Sequence, residues 1–459
     1  MKRRQLLRTL SMGSLSAPWL TNVNPDMVSF FTYRTKPISS RPGPARRITG
    51  IVLGAGSRGN TYGDYAVQFP EELDILGVAE PIPVRLQKFS QKHDISADRQ
   101  FVTWEHAFER PKFADVVIIT TPDHLHYGPA MQALAMGYDL LLEKPIAQSW
   151  RECKEILDQQ KKYDRIVAVC HVLRYAPYFE KIKELFDAQF FGRVTSVQHF
   201  EPIQHVHMSH SFVRGNWRNA EQSNPSILQK SCHDMDILRW WLGRRCTHMS
   251  SFGHLTWFKE ENAPAGSTAR CTDGCAIEAE CPYSALRIYY RDRTWLYHFD
   301  LPADESAHGE AILTNLREGP YGRCVYRCDN TVMDHQVCAM QFEDEITVTF
   351  QMEAFTHYHG RKTRVMGTMG DLVGDGDEMM CVDFRTGKIE HWNVADHVEI
   401  DSGHGGGDWR LVKDFLSAVD THDISLLTSN LDASMDSHLM CFKAEESRKE
   451  LVTKEILYS

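Results

Sequence analysis

The stretch ITGIVLGAGSRG at residues 48–59 decides the fold, because a short apolar run passes directly into a glycine-rich turn. Gly54, Gly56 and Gly59 have the G-x-G-x-x-G spacing of a dinucleotide-binding turn. The first glycine permits the tight bend, the second lets the backbone approach a pyrophosphate, and the third lets the next helix pack against the sheet. Amide groups at that helix N-terminus attract phosphate. With Ser57 and Arg58 between them, these glycines form a predicted phosphate loop.

The next apolar run, LDILGVAE at residues 73–80, ends in Glu80. An acidic residue after the second strand of such a domain binds the ribose hydroxyls of the cofactor. A carboxylate at that position would repel a 2′-phosphate, so the sequence predicts NAD in preference to NADP. The alternative is a solvated charge at a strand end.

Two motifs farther along the chain support this interpretation. TPDHLH at residues 121–126 follows the apolar run ADVVIITT, and Glu143-Lys144-Pro145 follows YDLLL. Both motifs are predicted at the carboxyl ends of parallel strands, where such sheets bind their ligands. Lys144 is therefore expected beside the nicotinamide ring of a bound cofactor.

Apolar runs alternate with helical patterns from residue 48 to 170, which is typical of a parallel sheet with helical crossovers. The runs predicted as strands are ITGIVLG, LDILGVA, ADVVIITT, YDLLLE and RIVAVCH. Residues 47–170 are thus predicted to form an α/β, doubly wound Rossmann domain.

The pattern changes after Cys170, where helix-like segments are interleaved with longer runs of β-branched and aromatic residues. Turn residues Glu343-Asp344 and Thr386-Gly387 indicate hairpins. Residues 171–459 are therefore predicted to form an α+β substrate-binding domain with a large, mostly antiparallel open sheet. A Cys-rich insertion is expected at about 257–333, and DWRLVKDFLSAVD is expected to be the last helix.

Bulk composition limits the classes of function. A chain of 459 residues is too long for one ordinary core and indicates two domains. A net charge of −10 argues against nucleic acid as the main partner. No apolar run reaches the length of a membrane span.

The N-terminal segment has the character of a targeting signal. Lys2-Arg3-Arg4-Gln5-Leu6-Leu7-Arg8 is similar to a twin-arginine export signal and is followed by the weakly apolar LSMGSLSAPWL. Residues 1–46 are therefore assigned to a signal and a Pro-, Ser- and Arg-rich linker outside the fold. This predicts a periplasmic protein; an ordinary basic tail would leave it in the cytoplasm.

The motifs together resemble those of the glucose–fructose oxidoreductase/inositol dehydrogenase/MocA (Gfo/Idh/MocA) family. The resemblance implies a tightly held NAD or NADP, hydride transfer at a carbon of a sugar or cyclitol, and self-association through the open sheet. The residues that it assigns to the cofactor are Gly54, Gly56, Ser57, Arg58, Gly59, Glu80, Thr121, Pro122, His126, Glu143 and Lys144. It assigns the role of acid or base to His233.

One position departs from the family pattern. Members typically carry an aspartate four residues before this histidine, and here Gln229 occupies that position. Glutamine cannot accept a proton. Because Lys230 is three residues before His233, helical spacing would bring the two side chains together. Lys144, His233 and Lys230 are accordingly predicted as the catalytic residues.

A histidine-rich segment follows the predicted Rossmann domain, and His205 and His207 would share one face of a strand. Imidazole, guanidinium and aromatic groups suit a polyhydroxylated sugar, which is the first interpretation. A divalent metal site is the second, and a solvated loop the third. The predicted substrate-binding residues are His171, Arg174, His205, His207, His210, Arg214, Trp217, Asp234 and His404.

Five cysteines cluster between residues 271 and 328. Cys271, Cys275, Cys281 and Cys324 are predicted to hold a structural zinc ion or iron–sulfur cluster, with Cys328 as an alternative member. Disulfides are equally natural after export.

The leading functional prediction is an NAD-dependent oxidoreductase that acts on a hydroxyl of a sugar, glycoside or cyclitol. The alternative is a redox-assisted glycosidase, in which bound NAD oxidises a ring hydroxyl only transiently. A cofactor sensor without enzymatic activity is the third possibility, and the presence of both Lys144 and His233 argues against it.

Overall fold

The computed structural model describes residues 38–398, 400 and 402–458. Its first half is a six-stranded parallel sheet in the order β3-β2-β1-β4-β5-β6, which is the doubly wound order. The strands are β1 (Ile48–Leu53), β2 (Leu73–Ala79), β3 (Gln100–Phe101), β4 (Val116–Ile119), β5 (Asp139–Leu142) and β6 (Val167–Val169). The five predicted strands are confirmed. The short β3 was not predicted, because two residues are too few to show a periodic pattern.

Five helices belong to this half. They are α1 (Ser57–Gln68), α2 (Pro83–Lys92), α3 (Trp104–Phe108), α4 (Tyr127–Ala135) and α5 (Trp150–Tyr163). The start of α5 shows how locally the chain encodes such a boundary. The Ser149 side chain accepts a hydrogen bond from the Glu152 amide, and the Glu152 carboxylate accepts one from the Ser149 amide, which is a capping box.

The second half is built on a nine-stranded sheet in the order β14-β13-β12-β11-β7-β10-β9-β8-β15. Neighbouring strands are antiparallel except β7 and β10, which run parallel. The strands are β7 (Val194–Pro202), β8 (Cys246–His254), β9 (His335–Phe342), β10 (Thr347–Glu353), β11 (Lys362–Gly367), β12 (Gly370–Gly374), β13 (Glu378–Asp383), β14 (Lys388–Asn393) and β15 (Lys454–Glu455). This confirms the predicted fold class, a Rossmann domain followed by a mostly antiparallel open sheet.

The remaining helices differ greatly in length. They are α6 (Pro177–Asp187), α7 (His205–His207), α8 (Ser226–Gln229), α9 (Cys232–Leu242), α10 (His308–Glu318), α11 (Gly407–Thr421) and α12 (Leu431–Glu450). The short α7 leads into a π-helix, Met208–Arg214. His205 and His207 therefore lie on a helical turn, and the prediction that they share one face of a strand was wrong.

The C-terminal helices complete the core of the N-terminal half. Leu411, Phe415 and Leu416 of α11 pack with Ile48 and Tyr62 in one cluster. In the same way, Leu431 and Met435 of α12 join the core on the other face of the parallel sheet. The predicted boundary at residue 170 thus separates the strands of the two sheets. The cores on the two faces of the first sheet, however, include helices from beyond this boundary. The prediction that α11 is the last helix was wrong, since α12 follows it.

Residues 38–46 are also part of the fold, contrary to the predicted linker. Ile38 is buried in the same core as α11. The Arg41 guanidinium pairs with Glu180 and Asp414, and the Ser417 hydroxyl donates to the Pro42 carbonyl at 2.6 Å. The predicted twin-arginine segment lies outside the described residues.

The Cys-rich insertion lies between the adjacent strands β8 and β9, which end and begin at His254 and His335. It has a small core of its own that includes Ile288, Tyr289, Ile312 and Leu316. Within the insertion the structure shows α10, a π-helix at Leu286–Arg291 and short 3-10 turns.

Among the helices within residues 38–398 and 402–458, none is long and apolar enough to cross a membrane.

Candidate functional site

The glycine turn after β1 has the geometry that a pyrophosphate requires. Gly54 has φ +95°, and a Cβ there would lie 2.7 Å from the Thr120 carbonyl oxygen. A Cβ on Gly59 would lie 2.0 Å from the Gly54 carbonyl oxygen, so α1 can approach the turn only with glycine at this position. A Cβ on Gly56, by contrast, meets nothing within 4 Å. The open space beside Gly56 and the exposed Ser57 at the start of α1 fit the phosphates of a dinucleotide.

Glu80 lies directly after β2 and is buried beneath this turn. Its carboxylate accepts hydrogen bonds from the Ala55 amide at 2.7 Å and from the Ile82 amide at 3.0 Å. Each carboxylate oxygen can accept a second hydrogen bond. Glu80 therefore stabilises the turn and still fits the predicted contact with ribose hydroxyls.

Arg58 and Glu143 were predicted as cofactor residues, and the structure pairs them with each other. The Arg58 Nε donates to Glu143 at 2.6 Å, and its Nη2 donates to Asp408 of α11 at 2.6 Å. Tyr62 donates its hydroxyl hydrogen to Glu143 at 2.8 Å. Burial raises the pKa of Glu143, but the charges of Arg58 and Lys144 outweigh burial, so that its pKa lies below the ordinary value. This buried network joins the phosphate loop, the EKP motif and α11.

The TPDHLH turn is held against the EKP motif by His126. Its Nδ1 lies 2.7 Å from the Pro145 carbonyl oxygen, and its Nε2 lies 2.9 Å from the Thr121 carbonyl oxygen. The buried ring lies between these two carbonyl groups, so His126 positions the turn, and its predicted contact with the cofactor stays a prediction. Pro122 remains exposed at the edge of the turn.

Lys144 follows β5, and the region where this strand end meets the glycine turn and the start of α9 is here called the cleft. Its Nζ donates to the Gln229 carbonyl oxygen at 2.7 Å and lies 5.9 Å from the centre of the Trp217 ring. The Trp217 indole and the Gln229 side chain both donate to the buried Asp123, at 3.3 and 3.4 Å. Asp123 was visible in TPDHLH but was not predicted as a site residue.

His233 lies on the first turn of α9, close to two other imidazoles. The ring centres of His171 and His404 lie 5.8 and 5.9 Å from that of His233. Burial lowers the pKa of His233 far below the ordinary histidine value, and Lys144, His171 and His404 lower it further. His233 is therefore neutral near pH 7, and its Nδ1 has no hydrogen-bond partner among the described residues.

His171 and His404 occupy the predicted substrate side of this cleft. His171 follows β6 and is fully buried. Its Nε2 lies 3.6 Å from an Asp236 carboxylate oxygen, and neither ring nitrogen has a partner within hydrogen-bond distance in the described part of the chain. His404 is partly exposed, and its Nδ1 lies 3.1 Å from Asp408. His438 of α12 was not predicted; its Nε2 accepts a hydrogen bond from the Ile146 amide at 3.0 Å and so fixes the EKP loop.

Lys230 does not share a helix face with His233. It is the C-cap of α8, and α9 begins only at Cys232. The break at Ser231 removes the helical spacing that the prediction assumed. The Lys230 ammonium instead pairs with Glu201 at 3.0 Å, so its predicted compensation for the missing aspartate was wrong.

Asp234 and Arg174 were predicted to bind substrate, but both form buried ion pairs with other side chains. Arg361 and His199 bond to Asp234, and burial, which would raise the pKa of Asp234, is outweighed by these partners. Arg174 makes two hydrogen bonds of 2.7 Å to Asp236. These residues stabilise the floor of the cleft.

Four further predicted substrate residues face the insertion and not Lys144. The His205 ring centre lies 6.2 Å from that of Tyr283, and the ring centres of His207 and His210 each lie 4.8 Å from that of Trp295. Arg214 is buried and donates to the carbonyl oxygens of Arg323 and Tyr283. Of the predicted substrate set, His171, Trp217 and His404 thus remain at the cleft.

All twelve cysteines are free thiols in the structure. The prediction of disulfides between residues 271 and 328 is therefore not realised in this conformation. Among the described residues, no three His, Cys, Asp or Glu side chains form a group that could hold a single metal ion. The described residues therefore show neither a metal site in the histidine-rich segment nor a mononuclear zinc site at the cysteines.

The cleft thus combines a dinucleotide-type turn, an ammonium group and a neutral imidazole with a free nitrogen. Those are the groups that hydride removal from an alcohol requires: a cofactor site, a donor to the oxygen and a base.

Comparison with known proteins agrees with this geometry. Residues 48–171 match the family model described as an oxidoreductase family with an NAD-binding Rossmann fold. Residues 179–373 match the model of the Gfo/Idh/MocA C-terminal domain.

Among curated proteins, YteT of Bacillus subtilis is 24% identical over 369 residues, which are 77% of this chain and 84% of YteT. The inositol 2-dehydrogenase/D-chiro-inositol 3-dehydrogenase of Lactiplantibacillus plantarum is 24% identical over 194 residues, 41% of this chain and 51% of that enzyme. Among solved structures, the inositol dehydrogenase homolog of Azotobacter vinelandii complexed with NAD+ superposes with a TM-score of 0.64 at 13% identity, covering 90% of this chain and 98% of that one. The family resemblance is confirmed: the chain belongs to the Gfo/Idh/MocA family and is an NAD-binding oxidoreductase.

Proposed function

We propose that the protein oxidises a secondary hydroxyl group of a sugar, glycoside or cyclitol, with NAD as the hydride acceptor. The observation that carries this proposal is the convergence of Lys144, His233 and His171 at the carboxyl edge of the parallel sheet, beside the glycine turn. Bound NAD would supply a nicotinamide carbon that accepts the hydride.

Residues of the first sheet would hold the cofactor. The amides at the start of α1 and the open face of Gly56 suit the pyrophosphate. Glu80 suits the ribose hydroxyls, and Thr121 with Pro122 lines the edge of the same cleft. Arg58 and Glu143 act indirectly in this proposal, because their charged groups are paired with each other.

His233 would accept the hydroxyl proton. A base must be deprotonated before it can act, and burial together with three neighbouring groups keeps this imidazole neutral. Lys144 would donate to the substrate oxygen. Its bond to the Gln229 carbonyl fixes one N–H and leaves two for other acceptors.

The substitution of Gln229 for aspartate changes how the base is controlled. The Gln229 side-chain amide donates to Asp123 at 3.4 Å and to the Ser223 hydroxyl at 3.0 Å. No described carboxylate bonds to His233, so nothing raises its affinity for a proton. Positive and neutral neighbours hold the base neutral, where a carboxylate partner would increase its basicity.

The substrate class follows from the groups that are left without partners. The Nδ1 of His171 is buried without a hydrogen-bond partner in the described structure, whereas its Nε2 lies 3.6 Å from an Asp236 carboxylate oxygen. Buried polar groups are normally paired. A substrate hydroxyl would pair the Nδ1, while Trp217 offers an apolar ring face to the sugar carbons. Relatives named as inositol dehydrogenases support a cyclitol or sugar. The family matches do not favour the redox-assisted glycosidase.

The acid–base assignment predicts a specific pH dependence. Because the pKa of His233 lies below the ordinary value of about 6.5, the acidic limb of the kcat/KM profile should fall below about pH 6.5. His233→Ala should reduce kcat/KM by about 10²- to 10⁴-fold and remove this limb, and Lys144→Met should cause a loss of similar size with NAD still bound. NADH absorbance with a panel of inositols, aldoses and methyl glycosides measures both.

Matched controls are the exposed His422→Ala and Lys161→Met, which lie away from the cleft and should leave the profile unchanged. An acidic limb at or above about pH 6.5 in the unaltered protein would refute the assignment of His233. Full activity of Lys144→Met would refute that of Lys144.

The position of Glu80 predicts selectivity for NAD over NADP. Calorimetric titration of the unaltered protein should give tighter binding of NAD, since the carboxylate repels a 2′-phosphate. Glu80→Gln keeps the shape of the side chain and removes its charge, so it should narrow the difference between the two cofactors. Equal affinities before the substitution would contradict the role of Glu80.

We also propose export by the twin-arginine route, supported by Arg3, Arg4 and the apolar residues after them. The Arg3→Lys/Arg4→Lys double variant should lower the fraction of protein in the periplasm, whereas Arg8→Lys should not. Cell fractionation measures this, and an unchanged distribution of the double variant would contradict export by this route.

Self-association through the open sheet stays a prediction. Val337, Val373 and Met380 are exposed large apolar side chains on this sheet, and Val373 and Met380 pair across β12 and β13. Light scattering should give a mass above that of one chain, and Val373→Lys/Met380→Lys should reduce it. Val67→Lys, on the exposed side of α1, is the control. A monomeric mass for the unaltered protein would contradict the prediction of self-association.

A further inference from the structure

Asp123 is a buried carboxylate that joins the first sheet to the substrate side of the cleft. It begins a short 3-10 turn a few residues after β4, and only 7% of its surface is exposed. Its oxygens accept hydrogen bonds from four neutral side chains, which are Trp217 at 3.3 Å, Ser223 at 3.0 Å, Asn224 at 3.2 Å and Gln229 at 3.4 Å. All four lie in one segment, residues 217–229. A single side chain therefore connects the carboxyl edge of the first sheet with that segment.

The charge of Asp123 makes this connection a firm one. A carboxylate loses its hydration when it is buried, and hydrogen bonds have to replace the water. Hydrogen bonds to a charged acceptor are also stronger than those to a neutral acceptor. Asp123 therefore fixes its partners in place more strongly than a neutral side chain would.

Two of these partners contact the Lys144 ammonium. The Lys144 Nζ donates to the Gln229 backbone carbonyl oxygen at 2.7 Å and lies 5.9 Å from the centre of the Trp217 ring. Two of the other donors to Asp123 precede α8, and Gln229 is the last residue of that helix. Asp123 thus bonds at both ends of the helix that presents this carbonyl group to Lys144.

The Gln229 side chain is matched to Asp123. Its Nε2 donates both to Asp123 and to the Ser223 hydroxyl at 3.0 Å, while its Oε1 is buried with no partner in the described structure. A carboxylate at position 229 would have no hydrogen to donate and would bring a second negative charge beside the first. The two positions therefore require one donor and one acceptor.

We propose that Asp123 is a positioning residue of the cleft, which holds Trp217 and Gln229 where they orient the Lys144 ammonium. This inference rests on the proposed function, in which Lys144 donates to the substrate oxygen. Such a donor has to point at the place where negative charge develops, so a small displacement lowers the rate of the reaction. Asp123 itself transfers neither the proton nor the hydride; it acts through the residues that it holds.

Kinetics of the NAD-bound protein test this role. Asp123→Ala removes the shared acceptor and should lower kcat about 10- to 100-fold with NAD still bound, because the ammonium is no longer held in place. Asp139→Ala is the matched control. Asp139 is also 7% exposed and accepts a hydrogen bond from the Ile166 amide at 2.7 Å, but it begins β5, whereas Lys144 follows the end of that strand. The control should lower the Tm and leave kcat unchanged. Equal kcat values for the two variants would overturn the positioning role.

The conservative variant Asp123→Asn separates positioning from a general loss of stability. Its amide group can bond to the same partners once the Gln229 amide turns over, since both amides contain a donor and an acceptor. It should therefore retain a higher kcat than Asp123→Ala. A loss of kcat as large as that of Asp123→Ala would show that the hydrogen bonds do not position Lys144.

Thermal unfolding tests the match between Asp123 and Gln229 without measuring activity. Gln229→Glu keeps the shape of the side chain but places two carboxylates together, so it should lower the Tm. In the Asp123→Asn background the same change restores one donor and one acceptor, and the Ser223 hydroxyl can serve either. The double variant should therefore have a higher Tm than Gln229→Glu alone. Additive losses of stability would overturn the pairing.

The two measurements also separate failure of this inference from failure of the proposed function. If the unaltered protein reduces no NAD with any substrate of the panel, the proposed function is wrong, and the role of Asp123 in that reaction is wrong with it. If the unaltered protein is active but Asp123→Ala keeps the kcat of the control, only the inference about Asp123 is overturned.

Discussion

The buried pairing of Arg58 with Glu143 and Asp408 is the interaction on which the rest of the cleft depends. It joins three segments that are far apart in sequence: the phosphate loop, the strand-end EKP motif and the start of α11. Removing one partner of a buried ion pair leaves a charge without compensation, at a cost of about 3 to 5 kcal/mol. Because Asp408 also bonds to His404, the same network sets the distance between the glycine turn and the histidines. The cofactor side and the substrate side of the cleft are therefore positioned by one set of charges.

The charges around His233 control its protonation in place of the aspartate that the family resemblance implies at position 229. A carboxylate partner would raise the basicity of the imidazole, but here the nearest groups are Lys144, His171 and His404. A neutral base with a lowered pKa is a weaker proton acceptor but is available over a wider pH range. Two carboxylates that lie close to His233 in sequence or in the site are bonded to other groups. Asp123 accepts hydrogen bonds from Trp217 and Gln229, and Asp234 accepts one from Arg361. The replacement of aspartate by glutamine at position 229 thus agrees with the rest of the site, in which no described carboxylate is bonded to His233.

Sequence reasoning predicted the first sheet well because its signals are local. Each motif of the Rossmann half lies within a few residues of the strand that positions it, so spacing alone places Gly54, Glu80 and Lys144 at one edge. The failures arose where tertiary contacts decide. The 20-residue helix α12 shows no single apolar face, since it packs against the second sheet on one side and the Rossmann core on another. Lys230 was misplaced because the break at Ser231 has no glycine or proline to mark it. His438 could not be found without α12. Arg214 was assigned to the substrate because it lies in the same segment as the histidines and Trp217, but its side chain is bonded to carbonyl oxygens of the insertion.

The insertion between β8 and β9 also contacts both the cofactor side and the substrate side of the cleft. At one end Arg85 of α2 pairs with Asp300, and Lys88 donates to the Leu301 carbonyl oxygen, so the insertion is tied to the helix that follows Glu80. At the other end Arg218 and Arg323 share Asp329 beside Trp217. Both ties are partly exposed ion pairs, which contribute little individually. Because these ties reach α2 on one side and the segment that carries Trp217 on the other, the insertion spans the distance between the residues predicted to bind the cofactor and those predicted to bind the substrate.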